Sequence, residues 1–432
     1  MIIRRDFYLD KLIKRKNNGL VKVITGIRRC GKSYLLNNLF YAHLLESGVA
    51  PDHIIRFAFD SADDLLLIGE NLLQIEREKR GAAPEKFTAY IRSRVNAEGT
   101  YYLLLDEVQM LDCFEAVLNG YLRHDNLDIY VTGSNAKLLS KDIATEFAGR
   151  GDEVRLYPLS FAEFMSVYRG DKYEGLSEYM LYGGIPMVVL RADEADKGEM
   201  LEQLFNEIYI RDISKRNKIK NAGEMEDLLN ILSSAIGSLT NPEKLKNTFR
   251  TLKKSPIASP TIKKYLDYLS DSFLIEVATR YDIKGKAYIA TPKKYYFSDL
   301  GLRNARINFR QIEPAHCLEN VIYNELRRRG YRVDVGIVPC AHKNSEGKAT
   351  RTQLEVDFVC NLGARRYYIQ SAYSLPDETK VQQEMRPFRK IDDSFKKIIV
   401  TKDMVRPNYN EFGILTLNIY DFLLDAECLE KH

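Results

Sequence analysis

The sequence predicts an α/β chain: a parallel-sheet domain that carries a phosphate-binding loop, then a largely helical segment, then a second α/β segment. Three observations carry this expectation. The run Gly26-Ile27-Arg28-Arg29-Cys30-Gly31-Lys32-Ser33 fits G-x-x-x-x-G-K-[ST] and stands between an apolar strand, 21–25, and a helix beginning near Lys32. The apolar run from Tyr101 to Leu105 ends in Asp106-Glu107, as a buried parallel strand does where its C-terminal end opens on a site. Strand-like runs at 21–26, 53–59, 101–106, 127–133 and 153–156 alternate with helical stretches such as 32–47 and 84–96, which implies crossovers and a sheet covered on both faces.

Each position of the first motif has a chemical reason. Gly26 and Gly31 let the backbone turn tightly enough for successive N–H groups to meet a phosphate, and the helix that follows turns its positive end to the same anion. The expected ATP contacts are therefore Gly26, Ile27, Arg28, Arg29, Cys30, Gly31, Lys32, Ser33 and Tyr34. Lys32 reaches the β- and γ-phosphates, and Ser33 with Asp106 holds Mg²⁺. Glu107 is placed to polarise an attacking water. Ser134, just past the fourth strand, either senses the γ-phosphate or caps a helix. Arg150 either enters a neighbouring subunit's nucleotide site as a finger in trans, which requires a homo-oligomer, or is a solvated helix-end arginine.

A chain of 432 residues exceeds one core and divides into about three domains. Its 45% hydrophobic and 29% charged content is that of an ordinary soluble protein. No run of eighteen apolar residues and no signal-peptide h-region is present, so a cytoplasmic location without membrane contact is expected. Six scattered cysteines without a C-x-x-C pair indicate neither a disulfide framework nor a zinc site, since Cys340 and His342 lack a second pair. Charge is uneven: 19 Lys and Arg face 9 Asp and Glu between Lys215 and Arg310, a local +10 within a chain of net +4.

That basic segment contains a readable pattern. Ser259-Pro260 opens a helix with Ile262, Tyr265, Leu266 and Leu269 on one face, followed by strands at 273–280 and 293–298 around the loop Asp282-Ile283-Lys284-Gly285-Lys286. Helix followed by a β-ribbon is the winged helix-turn-helix layout. Duplex DNA is accordingly a candidate partner for 259–297, with Thr261, Lys263 and Lys264 near a groove and Lys284 and Lys286 on phosphates; the alternative is a winged helix used for packing alone.

The motifs Gly26 to Ser33, Leu103 to Gln109, Thr132-Gly133-Ser134, Gly149-Arg150, Pro158-Leu159-Ser160-Phe161 with Glu163-Phe164, and Tyr182-Gly183-Gly184-Ile185-Pro186 together resemble prokaryotic AAA-type ATPases that carry a C-terminal domain of unknown function. The resemblance implies an AAA-type P-loop domain at 1–165, a helical and winged-helix domain at 166–312, and a restriction-endonuclease-like domain at 313–432. It also implies ATP and Mg²⁺ at Lys32, Ser33, Asp106 and Glu107, and favours the sensor and finger readings of Ser134 and Arg150. The order of helix 318–329 and strands 331–335, 354–360 and 367–370 resembles the PD-(D/E)xK nuclease core, which needs an Asp on one strand and acid-x-Lys on the next. Asp357 fits the first position, but the second reads Gln370-Ser371-Ala372, so the strand lysine is missing. Glu319, Asp357 and Gln370 then form a vestigial nuclease site, with Lys380 a candidate for the relocated lysine. The expected function is an ATPase that couples nucleotide state to DNA or protein binding. The alternatives are a nucleotide-gated DNA-binding regulator with negligible turnover and an ATP-dependent nuclease.

Overall fold

In the computed structural model the described residues are 3–431 except 79, 97, 134–148, 253–256, 311 and 344–348. They form two compact units, 1–158 with 271–273, and 159–270 with 274–432.

The first unit is built on a five-stranded parallel sheet of β1 (Val21–Thr25), β2 (Ile54–Ala58), β3 (Tyr101–Asp106), β4 (Leu127–Thr132) and β5 (Gly151–Arg155), in the order β2-β3-β4-β1-β5. All residues of β1 and β3 are buried, which is why those runs are largely apolar instead of alternating, with Lys22 and Thr25 the polar members of β1 and Asp106 that of β3. Val21, Val23, Phe57, Leu103, Leu105, Ile129 and Val131 project to one face, where Phe87 and Ile91 of the Pro84–Arg94 helix and Leu118 of the Phe114–Tyr121 helix cover them. On β1 the fully buried Lys22 ammonium pairs with Asp128 of β4, whose other oxygen accepts from Tyr130 Oη at 2.9 Å. Burial lowers the Lys22 pKa against the opposing pull of Asp128.

The second unit carries an eight-stranded mixed sheet in the order β12-β13-β11-β10-β9-β8-β6-β7. Its strands are β6 (Ile275–Asp282), β7 (Ala287–Phe297), β8 (Arg332–Lys343), β9 (Ala349–Leu362), β10 (Arg365–Ala372), β11 (Lys396–Thr401), β12 (Asn408–Tyr409) and β13 (Ile414–Asn418). The helix Ser259–Asp271 does bury Ile262, Tyr265, Leu266 and Leu269. The hairpin after it is not a free ribbon, however. β6 pairs in parallel with β8 through Arg280↔Val335, Tyr281↔Gly336 and Asp282↔Ile337, so 275–297 belongs to the same sheet as the C-terminal strands. Pairing satisfies the outer edge of β6, which a solvated wing would leave open.

The Tyr182-Gly183-Gly184 motif has a packing explanation. Buried Asp299 caps the Leu300–Arg306 helix, accepting from Leu302 N at 3.1 Å, and also accepts from Gly184 N at 2.7 Å. Burial raises its pKa to about 6, with the backbone donors opposing. Gly183 has φ +74°, and a Cβ there would lie 2.2 Å from Asp299 Oδ1, while one at Gly301 would lie 2.1 Å from the Tyr182 carbonyl oxygen. Gly183→Ala should therefore lower stability by about 2 kcal/mol or more, from the left-handed backbone and the clash together. Calorimetric melting of the full chain checks this, and an unchanged transition would refute it.

Candidate functional site

The motif residues of 26–34, Asp106 and Glu107, expected to hold a nucleotide, gather at the C-terminal ends of β1 and β3, beside that of β4. Beyond β1, Gly26 takes φ +142°, and a Cβ on it would lie 2.1 Å from the Leu156 carbonyl oxygen, so only glycine brings the loop this close to the sheet. Arg29 at φ 64° and Gly31 at φ 100° complete the turn into the helix. Helix runs from 32 to 46, with its middle, Leu35–Phe40, wound more widely as a π segment. Lys32 is buried, and its Nζ donates to the carbonyl oxygens of Gly26 and Ile27 at 3.1 Å each. Ser33 and Tyr34 are exposed, whereas Ile27 and Cys30 are buried and anchor the loop.

Asp106, at the end of β3, is held from two sides: its Oδ1 accepts from Thr132 Oγ1 of β4, and its Oδ2 from Asn37 Nδ2 of the loop helix at 3.5 Å. The same Thr132 Oγ1 accepts from Glu107 N at 3.1 Å, and Gln109 Nε2 donates to the Glu107 carboxylate. Glu107 takes φ 50°, a left-handed backbone that is uncommon for glutamate and turns the chain sharply at the strand end. Asp60, just beyond β2, has its pKa raised by partial burial and then by the charges of Asp106 and Glu107. Asn37, Thr132, Asp60 and Gln109 received no role from sequence. Thr132 belongs to the quoted Thr132-Gly133-Ser134 motif, but nothing local marks it as the partner of Asp106.

Ser134 lies outside the described residues. Arg150 is not brought to this loop. It precedes β5 beside the start of β1, with its carbonyl accepting from Val21 N at 2.9 Å and its guanidinium donating to Asn119 Oδ1 at 3.4 Å. The loop follows the other end of β1, about 16 Å away at the rise of an extended strand.

Glu319, Asp357 and Gln370, expected as a vestigial nuclease site, lie together within the second unit around a lysine that sequence reasoning missed. Lys294 of β7 is buried and places Nζ 2.8 Å from Glu319 Oε1, 2.8 Å from Glu355 Oε1 and 3.9 Å from Asp357 Oδ1. Tyr296 Oη donates to Glu319 Oε1 at 2.6 Å, Ser371 N to Asp357 Oδ2 at 2.8 Å, and Asp357 N to Gln370 Oε1 at 3.3 Å. Burial works against the Lys294 charge, but Glu319, Asp357 and Glu355 outweigh it and raise its pKa. Burial and the Glu319 charge push the Asp357 carboxyl well above the usual range. Lys380 pairs instead with Glu384 of its own helix at 2.5 Å, because the i,i+4 spacing offers a nearer carboxylate. Among the described residues no three His, Cys, Asp or Glu side chains are arranged to hold a metal ion, and no helix is long and apolar enough to cross a membrane.

Residues 18–165 match a family model described as an AAA domain, and residues 173–313 one described as a domain of unknown function, DUF8612. An uncharacterized protein of Haemophilus influenzae is 34% identical over 429 residues, spanning 98% of this chain and 99% of its own length. An uncharacterized protein of Methanocaldococcus jannaschii is 28% identical over 440 residues, 98% of this chain and 89% of its own. Among solved structures, the Walker-type ATPase of Pyrococcus abyssi aligns at 16% identity with a TM-score of 0.48, covering 71% of this chain and 96% of that one. With a relative 34% identical over nearly its whole length, the chain belongs to the same family as the Haemophilus influenzae protein and carries an AAA domain on its phosphate-loop sheet.

Proposed function

We propose that the chain binds MgATP on the loop 26–34 and hydrolyses it slowly, coupling the state of that site to the second unit. The observation that carries this reading is the Asn37–Asp106–Thr132–Glu107 network, which fastens the loop helix to the ends of β3 and β4. The residues fit the nucleotide: a glycine-only turn, a helix N-terminus, an exposed Ser33, and a lysine already resting on the loop carbonyls. Ser33 and Asp106 would hold Mg²⁺, which supplies charge neutralisation across the β- and γ-phosphates when bound. Lys32 exchanges its bonds to Gly26 and Ile27 for phosphate oxygens, the loop N–H groups orient the anion, and Glu107 polarises water.

Arg150 stands too far from the loop of its own chain to act there, so a finger role for it belongs to a neighbouring copy; turnover per chain should then rise steeply with protein concentration. In the second unit the acids Glu319 and Asp357, with Gln370, are read as a nuclease-derived structural cluster closed by Lys294. A second reading, nucleotide-gated binding of duplex DNA through 259–297, draws on the exposed Lys263, Lys264, Lys284 and Lys286. It requires a salt-sensitive duplex interaction that charge reversal at Lys263 and Lys264 removes.

The test of the main reading is titration of a fluorescent ATP analogue with Mg²⁺. Lys32→Ala should bind about 10- to 100-fold more weakly, the cost of one charge-assisted contact. Equal affinity in the variant would overturn the assignment.

A further inference from the structure

We infer that the face formed by 379–390 and the β12–β13 turn is a binding site for single-stranded nucleic acid, with phosphates in a cationic groove and a base on Phe412. This site is independent of the ATPase reading and of the segment 259–297.

The local sequence sets it up. In Met385-Arg386-Pro387-Phe388-Arg389-Lys390-Ile391 the apolar residues Met385, Phe388 and Ile391 are buried in one core cluster with Ile399 and Ile414, while Arg386, Arg389 and Lys390 are exposed. Three cations are thereby carried on a rigid base. Together with Thr379, Gln382 and Gln383 of the preceding Glu378–Met385 helix, they line an open groove of about 570 Å³. Its lining contains no acid. Of the acids nearby in sequence, Asp377 caps Lys380 N at 2.8 Å, Glu384 pairs with Lys380, and Asp393 accepts from Tyr368 Oη at 2.6 Å, while Asp392 and Glu411 are exposed outside the groove lining. Glu378 accepts from Gln382 Nε2 at 2.6 Å, and Gln382 Oε1 in turn receives Arg389 Nη1 at 3.1 Å, which fixes the arginine at the rim.

Helix-end cations commonly serve only the helix dipole. Aromatic rings beside them distinguish this face. The Arg389 guanidinium lies 4.5 Å from the centroid of the Phe412 ring, which is 44% exposed, and Tyr409 on the same turn is 50% exposed. Asn410 between them donates to Met385 Sδ at 3.3 Å, tying the turn to the end of the helix. A groove lined by cations and amide donors suits a phosphodiester backbone, and an exposed ring beside it suits a base whose face is free, as it is in a single strand. A paired duplex offers no such face.

The experiment is fluorescence anisotropy of a labelled oligothymidylate of about 20 nucleotides with the full chain, from about 50 mM salt upward. The wild type should bind with a log–log salt slope near −2, as about three neutralised phosphates give for a single strand. Replacing Arg386, Arg389 and Lys390 together by Ala should weaken binding at least about tenfold and flatten that slope. Phe412→Ala should weaken it about 5- to 100-fold with the slope unchanged, the signature of lost stacking. Lys263→Glu with Lys264→Glu should leave it intact. All these side chains are exposed, so the variants keep the core; an unchanged melting profile verifies it. Absence of binding at the lowest salt, a triple variant equal to wild type, or equal competition by inorganic polyphosphate would each overturn the inference.

Discussion

Glu107→Gln will keep its affinity for ATP and lose about 10²- to 10⁴-fold in turnover, the range of a positioned acid–base group. The substitution preserves shape. The backbone N–H at 107 stays on Thr132 Oγ1, and Asp106 keeps both of its hydrogen-bond partners, so the site retains its geometry and loses one negative charge. That charge also raises the pKa of Asp60, which makes the Asp60 carboxyl a spectator with a defined response: its pKa should fall in the variant. Single-turnover phosphate release separates this from a binding defect, since Lys32→Ala loses affinity whereas Glu107→Gln loses only the chemical step. A variant that turns over like wild type would remove Glu107 from the reaction and leave the nucleotide as a conformational ligand.

What the sequence disclosed was what a short segment must do alone. The motif keeps its glycines, lysine and hydroxyl within eight residues, so the tight turn at 26–33 between β1 and the helix at Lys32 was readable without tertiary knowledge. An acid pair at the end of a fully apolar strand was readable for the same reason, and the strand bounds fell within a few residues of the expected ones. Contacts across the sheet were not. Thr132 and Asn37 meet Asp106 only because β4 lies beside β3 and the loop helix packs over both, and neither residue type is unusual where it stands. The β6–β7 hairpin was legible as a hairpin, but its partner β8 follows about fifty residues later, and no local pattern specifies a parallel pairing at that distance. Lys293 and Lys294 look alike in a basic segment. Only burial separates them, and burial is set by the helix Pro314–Arg328 and by β9.

Lys294→Met will destabilise the second unit by about 3–5 kcal/mol, the cost of leaving buried carboxylates without their counter-ion. Methionine matches the length of the lysine stem, so packing changes little and the loss is electrostatic. Glu319 keeps Tyr296 Oη, but Glu355 loses its nearest cation, and the remaining acids repel. The pH dependence follows from the signs. A lysine whose folded pKa lies above its unfolded value contributes fully below about pH 10, but without it the facing carboxyls, Asp357's pKa already raised, are relieved by protonation, so the deficit should grow as pH rises and they ionise. Adding Glu319→Gln should recover part of the loss, because removing both charges leaves less uncompensated than removing one. Differential scanning calorimetry of the single and double variants measures both quantities. A single-variant cost under about 0.5 kcal/mol, typical of an exposed pair, would show Lys294 to be solvated and reopen the acid cluster to an external cation.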